Sequence, residues 1–236
     1  MDTLGFGLQL GQGAAHIPNG YGDDAVTVTR YSISVTPTCG RGTRWWTSVP
    51  TAGSSRWRHR FADARIVSFE PLSGPAALWR AVFAGDARAT LVEAAVGPEA
   101  GEAEIHVSAR DDSSSLLPIS ARQSALFPGT AEAGTATIRV QRLADALPAA
   151  DIAAPALLKL DVQGFELQAL AGCEDVLERF DWVYAECSFQ ELYTGQSFAD
   201  EVIAWLRERG LRLAGVYHMA YDERGRAVQA DFLFGR

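Results

Sequence analysis

The chain has 236 residues, 47% hydrophobic and 21% charged, enough apolar material for one sizeable core. Its 21 Lys+Arg stand against 29 Asp+Glu, a net charge of −8, and no local basic patch offsets that for a nucleic-acid or anionic-membrane surface. No apolar run approaches the roughly 18 residues of a spanning helix and no basic leader precedes a hydrophobic one, so a cytoplasmic protein without a transmembrane segment is expected.

Residues 1–62 form an atypical segment. They hold no Glu and no Lys, and they carry three of the six tryptophans, Trp45, Trp46 and Trp57. From residue 63 to 236 the pattern is cleanly periodic. RIVSF (65–69) reads as a buried strand, PAALWRAVFAG (75–85) as a helix, ATLVEAAV (89–96) as a strand and EAEIHVS (102–108) as a half-exposed strand. The Ser-rich DDSSSLLPIS is a loop, TATIRVQRL (135–143) a strand, and LADALP a short helix. PALLKLDV (155–162) is an apolar strand that runs into GFELQALAGCEDVLERF, where Leu170, Cys173, Leu177 and Phe180 recur at helical spacing and Glu166 sits in the first turn. A strand at 182–188, a helix in FADEVIAWLRERG, and strands at LRLAGVYH and AVQADFLFG complete the chain. Alternating strands and helices imply a parallel sheet with both faces covered. The last two strands, joined by the turn 222–225, imply an antiparallel hairpin at its end.

Ligands of open parallel sheets sit beyond the carboxyl ends of the strands, which singles out Glu70, Asp161 and Glu186. A carboxylate at such an end suits ribose hydroxyls, and one within roughly 3 Å of a substrate hydroxyl can orient or deprotonate it. Glu70 reads alternatively as a solvated strand-end carboxylate, and Asp161 and Glu186 each alone serve equally as a helix cap or a salt-bridge partner. Three cysteines (Cys39, Cys173, Cys187) without a CxxC pair, and four dispersed histidines (His16, His59, His106, His218), predict free thiols and no metal site.

SFEP, EAAVG, DDSSSLLP, LLKLDVQGFELQALAGCEDVL, VYAECSFQELYTGQ and GRAVQADFLF, in this order and spacing, resemble the FkbM family of S-adenosylmethionine-dependent O-methyltransferases from about residue 65 to 236. The resemblance implies the class I methyltransferase fold: a doubly wound α/β architecture, Rossmann-like, with a mainly parallel seven-stranded sheet whose last strand is antiparallel. It implies S-adenosyl-L-methionine as cofactor and methylation of a hydroxyl on a sugar, glycolipid or polyketide-type acceptor. By resemblance Glu70 holds the cofactor ribose, Ala95 and Val96 lie near the adenine, and Asp161, Gly164, Glu166 and Glu186 line the reaction side. Asp161, Glu186 and His218 are the candidates for taking the hydroxyl proton. A nucleotide-binding oxidoreductase fits poorly, since no GxGxxG follows a strand and the only lysine, Lys159, has no Tyr-x-x-x-Lys partner.

The family's first motif, close to VVDVGANxGQF and about 20 residues before SFEP, is replaced by TRWWTSVPTAGSSRW (43–57). GFGLQLGQG (5–13) is glycine-rich but follows no strand. Read one base out of register, the codons of Trp45-Trp46-Thr47 contain Val and Asp, and permitted codons of the following residues spell Val-Gly-Ala-Asn-Arg-Gly-Gln-Phe-Ala. A single-base shift starting upstream of about Thr43 and corrected between Trp57 and Asp63 accounts for the whole stretch. Resequencing that restores no such motif in any frame would sink this reading. The alternative function is therefore a catalytically inactive methyltransferase-fold protein that lacks a working cofactor turn.

Overall fold

The computed structural model describes residues 34–37, as backbone strand alone, and residues 64–236. The glycine-rich 5–13 segment, the tryptophans at 45, 46 and 57, Cys39, His16, His59 and the out-of-register stretch lie outside the described residues.

The described chain is a mixed α/β structure. Its elements are β1 (Ser34–Pro37), β2 (Ile66–Phe69), α1 (Ser73–Val82), β3 (Ala89–Val92), β4 (Ala95–Val96), β5 (Gly101–Ser108), α2 (Ala121–Leu126), β6 (Glu132–Gln141), α3 (Leu143–Ala146), β7 (Ala156–Leu160), α4 (Glu166–Cys173), β8 (Trp182–Ser188), α5 (Ala199–Glu208), β9 (Arg212–Tyr221) and β10 (Ala227–Gly235). Seven strands follow the order β3-β2-β1-β7-β8-β10-β9, and three more the order β4-β6-β5.

Two neighbouring pairs of the larger sheet, β2·β3 and β7·β8, are parallel, and the other four are antiparallel, so its hydrogen bonding is mixed. Strand β10 is reversed because the turn before it is too short for a crossover. Strand β1 runs antiparallel to both β2 and β7, Val35 facing Val67 on one side and Leu158 on the other. Strands β2 and β7 therefore point the same way. The continuous 89–96 strand expected from sequence is broken at Glu93-Ala94: β3 stays on the large sheet, and β4 leaves it to pair with β6. Helix α2, which follows the Ser-rich loop, carries no apolar periodicity that would announce it.

Alternation along β7 and β8 divides the sheet into two faces. Leu158, Leu160, Val183, Ala185 and Cys187 enter the main core with Leu170, Cys173, Leu177 and Phe180, the helical stripe read from sequence. Leu157, Tyr184 and Leu233 form a smaller cluster on the other face. Burial of this apolar area, at about 25 cal/mol per Å², holds α4 and α5 on the sheet. Gly172 lets α4 approach β4 closely, because a Cβ there would lie 2.2 Å from the Gly97 carbonyl oxygen.

Candidate active site

Strand β7 ends at Leu160, and Asp161 follows at its carboxyl edge. The chain then turns through Gln163 (φ 53°) and Gly164 (φ 91°), both in the left-handed region, before α4 begins. Glycine is required at 164 for space as well, since a Cβ would sit 2.8 Å from that of Gln196. This turn aims the Gln163 amide between two strand ends. Its Nε2 donates to Asp161 Oδ1 (2.8 Å) and to Glu186 Oε2 (3.1 Å), using both amide hydrogens. Its Oε1 accepts from the Tyr193 hydroxyl at 2.7 Å, and its backbone carbonyl accepts from Ser115 Oγ at 2.7 Å.

Asp161 is buried, and its second oxygen accepts from Lys159 Nζ at 3.0 Å. The only lysine of the chain is thus itself buried and paired. Glu186, half-buried, also accepts from Gln229 Nε2 at 3.2 Å. Both carboxylates therefore have their lone pairs directed at protein donors.

Across β10 the arrangement differs. Asp231 pairs in register with Glu186 on one side and with Tyr217 on the other, which puts it beside His218. His218 lies at φ 49°, and its Nδ1 is 2.8 Å from Asp231 Oδ2. A neutral imidazole held this way keeps its proton on Nδ1 and presents Nε2 as an acceptor. The His218 side chain is 48% exposed and that of Asp231 8%, so the pair joins a buried carboxylate to an accessible ring. Burial pushes the Asp231 carboxyl up, opposed chiefly by the Lys159 ammonium. Burial also raises the Tyr184 hydroxyl, whose oxygen lies 3.5 Å from His218 Nδ1, and the nearby Asp231 charge adds to the rise.

Glu166 opens α4 and is fully enclosed. Its Oε1 accepts from Gly164 N at 3.0 Å, and its Oε2 has no hydrogen-bond partner. Burial raises this carboxyl to about 8, with the Asp161 charge a lesser contribution in the same direction. Glu70 is buried at the end of β2 and accepts from Leu72 N at 2.8 Å. Ala95 and Val96 are wholly buried in β4, paired with Val140 and Gln141. Two further buried amide atoms without partners flank this segment: Nε2 of Gln141, whose carbonyl accepts from Gly97 N, and Oε1 of Gln168, one turn before Gly172. Cys173 and Cys187 are free, buried thiols, raised by burial. Among the described residues no group of three His, Cys, Asp or Glu is placed to hold a metal ion, and no helix is long and apolar enough to cross a membrane.

Asp161, Gly164, Glu166, Glu186 and His218 are thus brought to one edge. Glu70 ends a strand on the other side of β1, and Ala95 and Val96 belong to the smaller sheet. Sequence reasoning passed over Lys159, Gln163, Tyr193 and Asp231. A lone charge within the apolar runs PALLKL and ADFLF was the available signal for Lys159 and Asp231, whereas Gln163 and Tyr193 gave none.

A comparison with curated proteins finds 29% identity over 139 residues to the 2-O-methyltransferase NoeI of Sinorhizobium fredii (strain NBRC 101917 / NGR234). The match covers 56% of this chain and 57% of that relative, so the chain spans little more than half the relative's length. No solved structure matches the chain. The family model of the methyltransferase FkbM domain matches residues 40–213, well over half of the 236, and the chain belongs to the FkbM methyltransferase family.

Proposed function

We propose that this protein is an S-adenosyl-L-methionine-dependent O-methyltransferase that acts on a hydroxyl of a sugar, glycolipid or polyketide-type acceptor. The observation that carries this reading is the Asp231–His218 pair, an accessible imidazole oriented by a buried carboxylate next to the Asp161–Gln163–Glu186 cluster. Family membership supplies the reaction type. The strand order, with β2 and β7 codirectional and β10 reversed, supports the class I methyltransferase sheet.

The described residues fit the cofactor. Glu166 offers an unpartnered buried oxygen at the carboxyl edge, and Glu70 a buried carboxyl at the end of β2 for ribose hydroxyls. The unpartnered amide nitrogen of Gln141, the residue in register with Val96, is a donor that suits an adenine edge. When bound, S-adenosyl-L-methionine supplies an electrophilic methyl group on a positively charged sulfur.

The chain's own residues then divide the work. His218 accepts the acceptor proton at Nε2, and Asp231 holds the ring and offsets the charge it gains. Asp161 and Glu186, whose oxygens accept from Lys159, Gln163 and Gln229, serve to shape and polarise the edge. Positioning supplies most of the rate.

A second reading has its own support. The slot between β2 and β7 is taken by β1 in the antiparallel sense, whereas the family's cofactor turn follows a strand codirectional with both neighbours. That favours an inactive methyltransferase-fold protein. Calorimetric titration of the purified chain with S-adenosyl-L-methionine separates the two: a saturable one-site heat supports the enzyme, and a flat trace from a folded sample supports the inactive form.

A further inference from the structure

An open cleft of about 720 Å³ lies beyond the end of β8, lined by Ser120, Arg122, Phe189, Gln190, Glu191 and Arg226 among others. The Ser-rich loop before α2 and the turn between β9 and β10 both reach it. The Ser-rich loop arrives at Ser120, tied down by a bond from Ser120 N to the Leu192 carbonyl, and the turn after β9 arrives at Arg226. Phe189 is 42% exposed, with its ring packed at 5.7 Å on Phe232.

The polar wall is charge-balanced. Asp222 Oδ2 accepts from Arg226 Nε at 2.8 Å and lies 3.8 Å from Arg122 Nη2. Arg122 also donates to Gln190 Oε1, and Gln190 Nε2 is anchored on the Ala227 carbonyl at 2.7 Å. Backbone N–H groups, Arg226 first, hold the Asp222 carboxyl down near 2, so it stays ionised. Asp222 thus pairs with both arginines of the lining, and Glu191, whose Oε1 accepts from Gly195 N, adds a second carboxylate to the wall.

An anionic ligand would have to displace Asp222 from its arginines, whereas neutral hydroxyls can accept from guanidinium and donate to carboxylate without disturbing the pairing. An exposed ring, negative on its face, suits the weakly positive C–H face of a sugar. Phe189 follows Glu186 by three residues of extended chain, roughly 10 Å, so a unit seated here is not the one that reacts. We infer that this cleft binds a neighbouring sugar unit of a neutral oligosaccharide acceptor, Phe189 beneath its ring and Arg122, Glu191 and Arg226 on its hydroxyls. The inference rests on the hydroxyl-methyltransferase reading above. It adds where the acceptor is held and that it is an uncharged chain of at least two units. Binding energy gathered here would be spent on alignment at the reacting unit.

The test is binding of the full chain, without methyl donor, to an array of neutral, sulfated and phosphorylated oligosaccharides, followed by titration with the best neutral ligand. Wild type is expected to bind neutral glycans. Phe189→Leu, which keeps an apolar contact with Phe232, and Arg122→Ala should each weaken binding at least tenfold with unchanged thermal unfolding. No glycan binding, binding of anionic glycans alone, or full affinity in Phe189→Leu overturns the inference. The transferase reading fails separately: glycan bound through Phe189 with no methyl transfer leaves the cleft standing, and methylation of a monosaccharide by a chain that binds no oligosaccharide removes the cleft alone.

Discussion

Two acidic centres flank β8 in this sheet, Asp161 at the end of β7 and Asp231 on β10, and they differ in what holds them. Asp161 has one oxygen on Lys159 and the other on Gln163, and Lys159 has no exposed alternative. Asp231 is as deeply buried, yet one of its oxygens is held by a half-exposed imidazole, with the Tyr184 hydroxyl as a further donor. Position at a strand's carboxyl edge therefore does not make a carboxylate a base. The number of protein donors already aimed at it decides, because each donor stabilises the ionised form and occupies a lone pair.

Substitutions can break this contrast. His218→Ala should lower kcat by about 10²–10⁴ with little change in thermal stability, the range for a positioned general base; transfer assays paired with melting curves check it, and unchanged kcat would move the proton-taking role elsewhere. Asp161→Ala should do the reverse at the level of folding. It strands a buried ammonium, and removing one member of a buried pair costs about 3–5 kcal/mol, readable by urea unfolding.

Glu166 sharpens the contrast from a third side. Its folded carboxyl is raised to about 8 from 4.5, so between those values the unfolded chain is ionised while the folded chain stays protonated. That contribution is therefore complete below 4.5, declines as pH rises towards 8, and is lost above it. Glu166→Gln should remove up to about 1.4 kcal/mol per pH unit of that decline. Melting curves at several pH values measure it, and parallel pH profiles for wild type and variant would show Glu166 to be ionised when folded. The smallest effect is expected for Tyr193→Phe, about 1 kcal/mol, since it deprives the buried Gln163 Oε1 of its donor. A matching drop in kcat larger than the stability loss would show that Gln163 positions the two carboxylates as well as bracing them.

Much of the architecture was legible from periodicity. The stripe of Leu170, Cys173, Leu177 and Phe180 is buried against the sheet as its spacing implied, although α4 gives way after Cys173 to a tighter 3₁₀ run. The terminal hairpin follows from two apolar runs with no room for a helix between them. The break at Glu93-Ala94 was not legible, because an apolar run reads alike whether it continues on one sheet or crosses to a second. Of the candidate site, the strand-end carboxylates and His218 were visible as residue types at element ends. Gln163 was invisible because its role comes from a left-handed backbone turn that no composition rule announces.

By itself the sequence determined the element types, the carboxyl edge on which acidic residues collect, and the family, since these depend on local spacing and order. Tertiary structure decided which acidic residue is neutralised by the single lysine, which one orients His218, and which strand fills the slot beside β7. Those outcomes depend on distances between segments up to 125 residues apart, such as Ser34 and Lys159 (159 − 34), and on burial that raises or silences a charge. Neither quantity is written in the order of residues along the chain.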